Sequence, residues 1–168
     1  PMIGFCPGAE FGPAKRWPHY HYAELAKQLI DEGYQVVLFG SAKDHEAGNE
    51  ILAALNTEQQ AWCRNLAGET QLYQAVILIA ACKAIVTNDS GLMHVAAALN
   101  RPLVALYGPS SPDFTPPLSH KARVIRLITG YHKVRKGDAA EGYHQSLIDI
   151  TPQRVLEELN SLLLQEEA

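Results

Sequence analysis

The sequence has few cysteines and lacks the common metal-binding motifs. Only three of its 168 residues are cysteine, no C-x-x-C pair occurs, and Cys6, Cys63 and Cys82 each lie in or beside an apolar segment. We interpret them as small buried hydrophobic residues of a reducing compartment rather than as disulfide partners or zinc ligands. The seven histidines include no H-E-x-x-H motif, so no metal site is expected.

An excess of basic residues and a long hydrophobic run are also missing. The net charge is −4, from 14 basic and 18 acidic residues, which argues against a nucleic-acid-binding protein. The longest apolar run, "AVILIAAC", is far shorter than the roughly 20 residues of a membrane-spanning helix. No signal peptide is visible. Because the chain starts at Pro1 and enters an apolar run at once, we expect it to be a piece of a longer protein.

Three motifs of nucleotide and acyl chemistry are absent as well. No G-x-G-x-x-G follows the first apolar run, which argues against an ordinary NAD dehydrogenase, and no G-x-x-x-x-G-K-[ST] occurs, which argues against a P-loop kinase. Ser90 stands in "NDSG", which lacks the first glycine of the G-x-S-x-G nucleophile elbow. Ser90 is therefore not expected to be a nucleophile.

Short β-rich runs alternate with helical segments along the chain. Apolar strands that alternate with helices indicate a parallel sheet covered on both faces. The prediction is an α/β fold, a doubly wound Rossmann-like parallel sheet of six strands. Strands are expected over 2–6, 34–40, weakly within 61–68, and over 84–88, 102–108 and 122–128. Helices are expected over 19–33, 41–56, 70–82, 91–100 and 151–165.

Individual residues mark several of the predicted helix ends. Gly33 is a plausible stop for the first helix, and Ser41 lies near the start of the second. Thr70 is a candidate cap for the third long helix. Thr151 is the expected cap of the closing helix, because Pro152, which follows it, suits the first helical position.

The loops after the first and fourth strands, 7–18 and 88–91, should lie side by side at the sheet edge where such folds bind ligands. In "GAEFGPAKRWP", Gly8 and Gly12 let the backbone approach a ligand, and Lys15 and Arg16 supply positive charge for an anion such as a diphosphate. A solvated loop with two unrelated cations is the ordinary alternative.

The segment "TNDSGLMH" joins the fourth strand to the next helix. The backbone amides of Ser90, Gly91 and Leu92 would face the sheet edge with the helix dipole behind them, which suits a phosphate. His94, one turn further, is placed to donate to an oxygen. The ordinary alternatives are that Asp89 only caps the helix and that His94 is only a packed side chain.

Three further segments carry less specific signals. After the second strand, an acidic side chain often binds ribose hydroxyls, and either Asp44 or Glu46 could do so, although both also suit a charged first helical turn. The loop 107–117 is rich in turn residues and therefore rigid. The segment 120–136 contains six basic residues and no acid. It is either a solvated face or a contact with an anionic substrate or surface.

Three stretches together resemble the C-terminal half of the bacterial lipopolysaccharide heptosyltransferases: "PGAEFGPAKRWP", "NDSGLMHVAAALNRPLVALYGPSSP" and "DITPQRVLEEL". The resemblance covers nearly the whole chain. It implies the C-terminal domain of a two-domain GT-B glycosyltransferase, with residues 1–168 as the donor-binding domain and an N-terminal acceptor domain outside this chain. Relatives carry a cysteine-containing stretch before the final "DITP", whereas this chain has none there.

The resemblance also implies roles for particular residues. The donor would be ADP-heptose, with Lys15 at its phosphates and with an acceptor on the lipopolysaccharide inner core. The remaining assignments are Gly8 and Ala9 along the nucleotide pocket, Asp44 or Glu46 at the ribose, and Asp89, Ser90, Gly91 and His94 around the diphosphate and heptose.

The implied reaction is an inverting heptose transfer that needs no metal or cofactor. Its general base, an aspartate, would belong to the N-terminal domain, so we expect this chain alone to be inactive. A cytoplasmic protein is expected, with its own N-terminal domain as a partner, and a peripheral contact with the inner membrane stays open. Two alternatives remain, another GT-B enzyme that uses a UDP-sugar (a transferase or an epimerase) and a non-catalytic nucleotide-binding module.

Overall fold

The strands form one parallel sheet of six in the order β3-β2-β1-β4-β5-β6. The structure is a computed structural model that describes residues 1–10, 12–130 and 141–167. The predicted doubly wound parallel sheet is confirmed. The strands are β1 (Met2–Cys6), β2 (Gln35–Leu38), β3 (Cys63–Asn65), β4 (Ala84–Asn88), β5 (Leu103–Tyr107) and β6 (Ala122–Arg126).

Helices connect the strands and close the chain. Two short 3-10 helices, Pro13–Lys15 and Ala42–Asp44, stand before the first two α-helices. The α-helices are α1 (His19–Asp31), α2 (His45–Ala53), α3 (Thr57–Gln60), α4 (Leu72–Ala81), α5 (Gly91–Ala98), α6 (Gln145–Ile148) and α7 (Pro152–Glu167).

The sheet has a separate apolar core on each face, because successive strand residues point to opposite sides. Ile3 and Phe5 of β1 face a core that includes buried residues of α1 and α7. On the other face, Ile85 and Tyr107 pack with Ile79 of α4 and with residues of α5. Both layers are needed to bury strands that are apolar on both sides.

The strand order reverses between β1 and β4, which lie side by side at the centre of the sheet. Cys6, at the end of β1, pairs with Thr87, one residue before the end of β4. The β1–α1 and β4–α5 loops therefore leave the sheet next to each other, as predicted. In doubly wound sheets this reversal opens the crevice that ligands occupy.

Several predicted helix ends are confirmed. Gly33 ends α1 with a φ of 94°, and its amide donates to the carbonyl of Ile30, as a left-handed C-terminal residue does. Thr151 caps α7 by accepting from the amide of Arg154 at 3.2 Å.

Other local predictions were wrong in whole or in part. The helix that starts near Thr70 has Gln71 as its N-cap, because the Gln71 and Gln74 side chains bond reciprocally at its start. The predicted helix over 41–56 is confirmed in part: Ser41 stands at its start in a reciprocal capping box with Asp44, a 3-10 turn leads into α2, and α2 ends at Ala53. The short helices α3 and α6 were not predicted.

Candidate functional site

A cleft of about 420 Å³ opens where β1, β2 and β4 end. Its walls come from the β1–α1 loop, the turn after β2, the start of α4 and the first turn of α5. This is the crevice that the reversal of strand order predicts. The lining residues are Cys6, Gly8, Ala9, Glu10, Phe39, Gly40, Ser41, Lys43, Asp44, Leu72, Ser90, Gly91, Leu92 and Val95.

Gly8 forms the wall that follows β1, and it packs directly against Asp44. A Cβ atom added to Gly8 would lie only 2.3 Å from Oδ1 of Asp44. Gly40 is similarly close, since a Cβ atom added there would lie 2.7 Å from the Asp44 Cβ. The absence of side chains at these two glycines lets the acidic residue reach the floor of the cleft.

Asp44 has one carboxylate oxygen bonded and one without a partner. Its Oδ2 accepts from the amide of Ser41 at 2.9 Å and from the Ser41 hydroxyl at 3.1 Å. Its Oδ1 is buried, since the whole residue is only 7% exposed, and it accepts no hydrogen bond from the described residues. A buried acceptor without a donor is costly, so this oxygen is suited to receive a donor from a ligand in the cleft.

The first turn of α5 forms the opposite wall. Ser90 is the N-cap residue, and no side chain from the described residues caps this helix. The backbone amide of Met93 donates to the carbonyl of Ser90. The backbone amides of Gly91 and Leu92 come before it and have no partner inside the helix. A Cβ at Gly91 would meet no atom of the described residues within 4 Å, so these residues leave the cleft open in front of the amides. Such a helix start attracts anions.

The alternative reading of Asp89 as the helix cap was wrong, since Ser90 holds that position. One oxygen of the half-buried Asp89 carboxylate accepts from the Thr115 hydroxyl at 3.0 Å. This bond ties the start of α5 to the loop after β5. Asp89 therefore lies beside the cleft and helps to order its rim.

The structure brings five of the nine predicted site residues into one cleft, namely Gly8, Ala9, Asp44, Ser90 and Gly91. Four others lie outside its lining. Lys15 is half-buried at the end of the 3-10 helix in the β1–α1 loop, and Glu46 is exposed in the first turn of α2. Asp89 lies next to Ser90, and His94 is exposed on α5.

Sequence reasoning missed most of the apolar lining. Phe39, Leu92 and Val95 line the cleft, and Leu72 does so while 68% of its surface stays exposed. The sequence signal that could have identified Leu72 was its position at the start of a predicted helix that follows a short predicted strand. Together these side chains give one end of the cleft a surface suited to a flat apolar group.

Two further lining residues were not assigned to the site. Lys43 is exposed and adds a positive charge to the cleft. Cys6 lies on its floor, and burial raises the pKa of its thiol to about 12, partly offset by a hydrogen bond with Thr87. The Cys6 thiol is therefore neutral and has little nucleophilic character at physiological pH.

The basic segment 120–136 is only partly described. Lys121 pairs with Glu166 of α7 at 3.0 Å, and Arg123 bonds to Gln165 of the same helix. Arg126 donates to the carbonyl of Gly108 at 3.0 Å and so holds the loop after β5. The other three cations, Lys133, Arg135 and Lys136, lie outside the described residues.

The described ranges hold neither a metal-binding cluster nor a membrane-spanning helix. Within residues 1–10, 12–130 and 141–167, no three histidine, cysteine, aspartate or glutamate side chains cluster closely enough to hold a metal ion. In the same ranges, no helix has the length and apolar character to cross a bilayer.

Comparison with known proteins gives a consistent set of relatives. The family model described as glycosyltransferase family 9 (heptosyltransferase) matches residues 1–144. Lipopolysaccharide heptosyltransferase 2 of Escherichia coli K12 is 99% identical over 168 residues, which are 100% of this chain and 48% of that protein. Lipooligosaccharide heptosyltransferase 2 of Haemophilus influenzae is 70% identical over 97% of this chain and 47% of its own length.

Solved structures show the same relationship. The structure of E. coli ADP-heptose lps heptosyltransferase II matches with a TM-score of 0.93 and 93% identity, covering 100% of this chain and 48% of that one. A glycosyl transferase of family 9 from Veillonella parvula matches with a TM-score of 0.83 and 33% identity, over 98% of this chain and 46% of that one. The chain thus spans about half the length of the relatives it matches.

Proposed function

The chain belongs to glycosyltransferase family 9, the heptosyltransferases, and on that premise we propose that it is the donor-binding half of a GT-B enzyme. The whole enzyme transfers heptose from ADP-heptose onto the inner core of lipopolysaccharide. Since the chain covers 48% of its E. coli relative, the remaining half supplies the acceptor site.

The observation that carries this proposal is the cleft at the reversal of strand order. A volume of about 420 Å³ is in the range of pockets that hold a nucleotide. The apolar end formed by Leu72, Leu92 and Val95 takes the base. The unpartnered oxygen of Asp44 accepts from a ribose hydroxyl, and the amides of Gly91 and Leu92 receive the diphosphate.

The proposed reaction is a displacement at the anomeric carbon of heptose. The bond between that carbon and the β-phosphate oxygen breaks, and its electron pair leaves with ADP. The acceptor hydroxyl oxygen forms the new bond to the carbon, and its proton passes to a general base. We place that base in the half of the enzyme outside this chain, while Asp89 and His94 flank the heptose.

The contribution of this chain to the rate is the stabilisation of the leaving diphosphate. Negative charge grows on the β-phosphate as the glycosidic bond breaks, and groups aimed at that charge lower the barrier. Lys15 and the start of α5 fill this role in the proposal. Lys43, which lines the cleft, adds a second positive charge.

A cytoplasmic location belongs to the same proposal. The acceptor is a membrane-attached glycolipid, so the full enzyme works at the inner face of the inner membrane. The basic segment 120–136 is the part of the chain whose charge would favour such a surface.

A transfer assay with ADP-heptose and a heptose-bearing inner-core acceptor tests this proposal. We expect the full-length enzyme to release ADP, the present chain alone to release none, and full-length Lys15→Ala to lose at least about 100-fold in kcat/KM, as loss of one charge-stabilising group does. Full-length Lys83→Ala, which removes an exposed lysine before β4, is the matched control. Turnover by the chain alone would contradict the claim that the other half of the enzyme is required. Unchanged kinetics for Lys15→Ala would contradict the role of Lys15 at the leaving diphosphate.

A further inference from the structure

Asn88, the last residue of β4, is completely buried and uses its side-chain amide fully. Its Oδ1 accepts from the backbone amide of Trp17 at 3.0 Å and from the Tyr22 hydroxyl at 2.9 Å. Its Nδ2 donates to the carbonyl of Pro7 at 2.7 Å and to that of Gly8 at 3.3 Å. One side chain at the end of β4 thus holds the β1–α1 loop and α1, which lie at least 66 residues earlier in the sequence.

These four bonds span the two walls of the cleft. Gly8, whose carbonyl accepts from Asn88, lies in one wall, and Ser90 and Gly91 of the other wall follow Asn88 in the chain. Trp17 and Tyr22 belong to the end of the same β1–α1 loop and to α1. The cleft lining does not include Asn88 itself, so its effect on a ligand is indirect.

We propose that Asn88 is a positioning residue for nucleotide binding: its amide sets the place of the Gly8 wall relative to the start of α5. The inference rests on the proposed function of the cleft. The two halves of the amide have separable tasks. The Nδ2 donors hold the part of the loop that lines the cleft, and the Oδ1 acceptor anchors the end of the loop at Trp17 and α1 at Tyr22.

Asn88→Asp separates these tasks. The aspartate keeps the acceptors for Trp17 and Tyr22, but it cannot donate to both loop carbonyls. When ionised it donates to neither, and when protonated it donates to one at most. The loop carbonyls of Pro7 and Gly8 are then left with a missing donor or a repelling oxygen, and the loop shifts to relieve this.

Tyr22→Phe is the matched control, because it removes one bond to the same amide while the donors to the loop stay in place. Its ring contacts with Phe5 and Trp17 are retained. We expect both variants to lower the melting temperature. Calorimetric titration with ADP should show at least about a tenfold weaker Kd for Asn88→Asp and a change within about twofold for Tyr22→Phe.

A purely structural role for Asn88 predicts a different outcome, in which both variants lose stability and neither, or both equally, lose ADP affinity. That outcome would overturn the inference. Should Asn88→Asp fail to fold, Asn88→Ser takes its place; its short side chain loses bonds of both amide atoms, so its ADP affinity is judged against that of Tyr22→Phe, which loses one Oδ1 bond alone.

A measurement without ligand keeps this inference separate from the proposed function. In ¹H–¹⁵N spectra of the free chain, Asn88→Asp should shift or broaden the amide signals of Gly8 and Ala9, and Tyr22→Phe should leave them in place. If the wild-type chain binds no ADP, the proposed function fails, and these signals still decide the role of Asn88. Unmoved Gly8 and Ala9 signals in Asn88→Asp would refute it.

Discussion

At the scale of single residues, the cleft depends most on Asp44. Its position behind two glycines, with one oxygen bonded to Ser41 and the other without a partner among the described residues, is not that of a residue that only caps a helix. Glu46, the other acidic candidate, is exposed on α2 and outside the lining. The placement favours Asp44 as the ribose ligand.

Asp44→Asn tests this assignment. The amide oxygen of an asparagine can still accept from Ser41, but the other position now carries a donor instead of an acceptor for a ribose hydroxyl. We expect the ADP affinity to fall by about 1–2 kcal/mol, roughly 5- to 30-fold. The preference for ADP over 2′,3′-dideoxy-ADP should also shrink, because the uncharged amide can only donate to a ribose hydroxyl and makes a weaker bond than the carboxylate does; calorimetric titration measures it.

Glu46→Gln serves as the control and should bind both nucleotides like the wild type. If Glu46→Gln loses the preference for the ribose hydroxyls and Asp44→Asn keeps it, the two residues have been assigned the wrong way round.

At the scale of elements, the start of α5 and the β1–α1 loop use glycine for different reasons. Gly8 needs the absence of a side chain for folding, because Asp44 occupies the space. Gly91 is the first residue of α5, and a Cβ there would enter open space in front of the helix amides. Substitution should therefore damage folding at Gly8 and ligand access at Gly91.

Gly91→Ala is expected to keep or slightly raise the melting temperature, since alanine stabilises a helix by up to about 1 kcal/mol relative to glycine. The same change should weaken ADP binding at least about fivefold, because the methyl group stands where the diphosphate approaches the amides. Thermal unfolding measures the melting temperature, and calorimetric titration of the same sample measures the ADP affinity.

Ala98→Gly, at the exposed end of the same helix, is the reverse control for Gly91→Ala. It should lower the melting temperature and leave ADP affinity unchanged. Full ADP affinity in Gly91→Ala would show that the diphosphate does not use the start of α5.

The contact between α1 and α6 is sensitive to pH through His21. Its Nε2 donates to the carbonyl of Ile148 at 2.7 Å, and burial lowers the pKa of the imidazole below its ordinary value of 6.5, while the bond to Ile148 opposes this shift. The folded state therefore favours the neutral ring. This stabilisation is complete above the ordinary pKa and is lost as the pH falls through the lowered one.

We expect the free energy of unfolding to decrease between about pH 7.5 and pH 5, with a smaller decrease in His21→Gln. A glutamine amide can donate to the same carbonyl and does not titrate. Chemical denaturation at each pH gives the two slopes, and His120→Gln, which changes an exposed histidine, should keep the wild-type slope. Equal slopes in wild type and His21→Gln would exclude His21 as the source.

Local pattern predicted the strands and most helix ends, because apolar runs and caps act over a few residues. It failed after Ala53, where α2 has already ended and Asn56 caps the short helix α3. The packing of Asp44 against Gly8 joins the segments that follow two different strands, and no local pattern reveals it. For the same reason the sequence alone does not distinguish Asp44 from Glu46.

At the scale of the whole molecule, the strand order determines where the site lies. The strand order reverses between β1 and β4, so the loops after these two strands diverge at the centre of the sheet and the cleft forms there. The predicted neighbours 7–18 and 88–91 follow from this order alone. The position of Lys15 does not, because it depends on the path of a loop containing several glycines and prolines.

The central claim is that this chain is a binding domain for an ADP-sugar, separate from the half that holds the acceptor. Calorimetric titration of the wild-type chain with ADP and, in parallel, with UDP tests it most directly. We expect saturable one-to-one binding of ADP that is at least about tenfold tighter than that of UDP. Equal affinities, a preference for UDP, or no heat of binding with either nucleotide would contradict it.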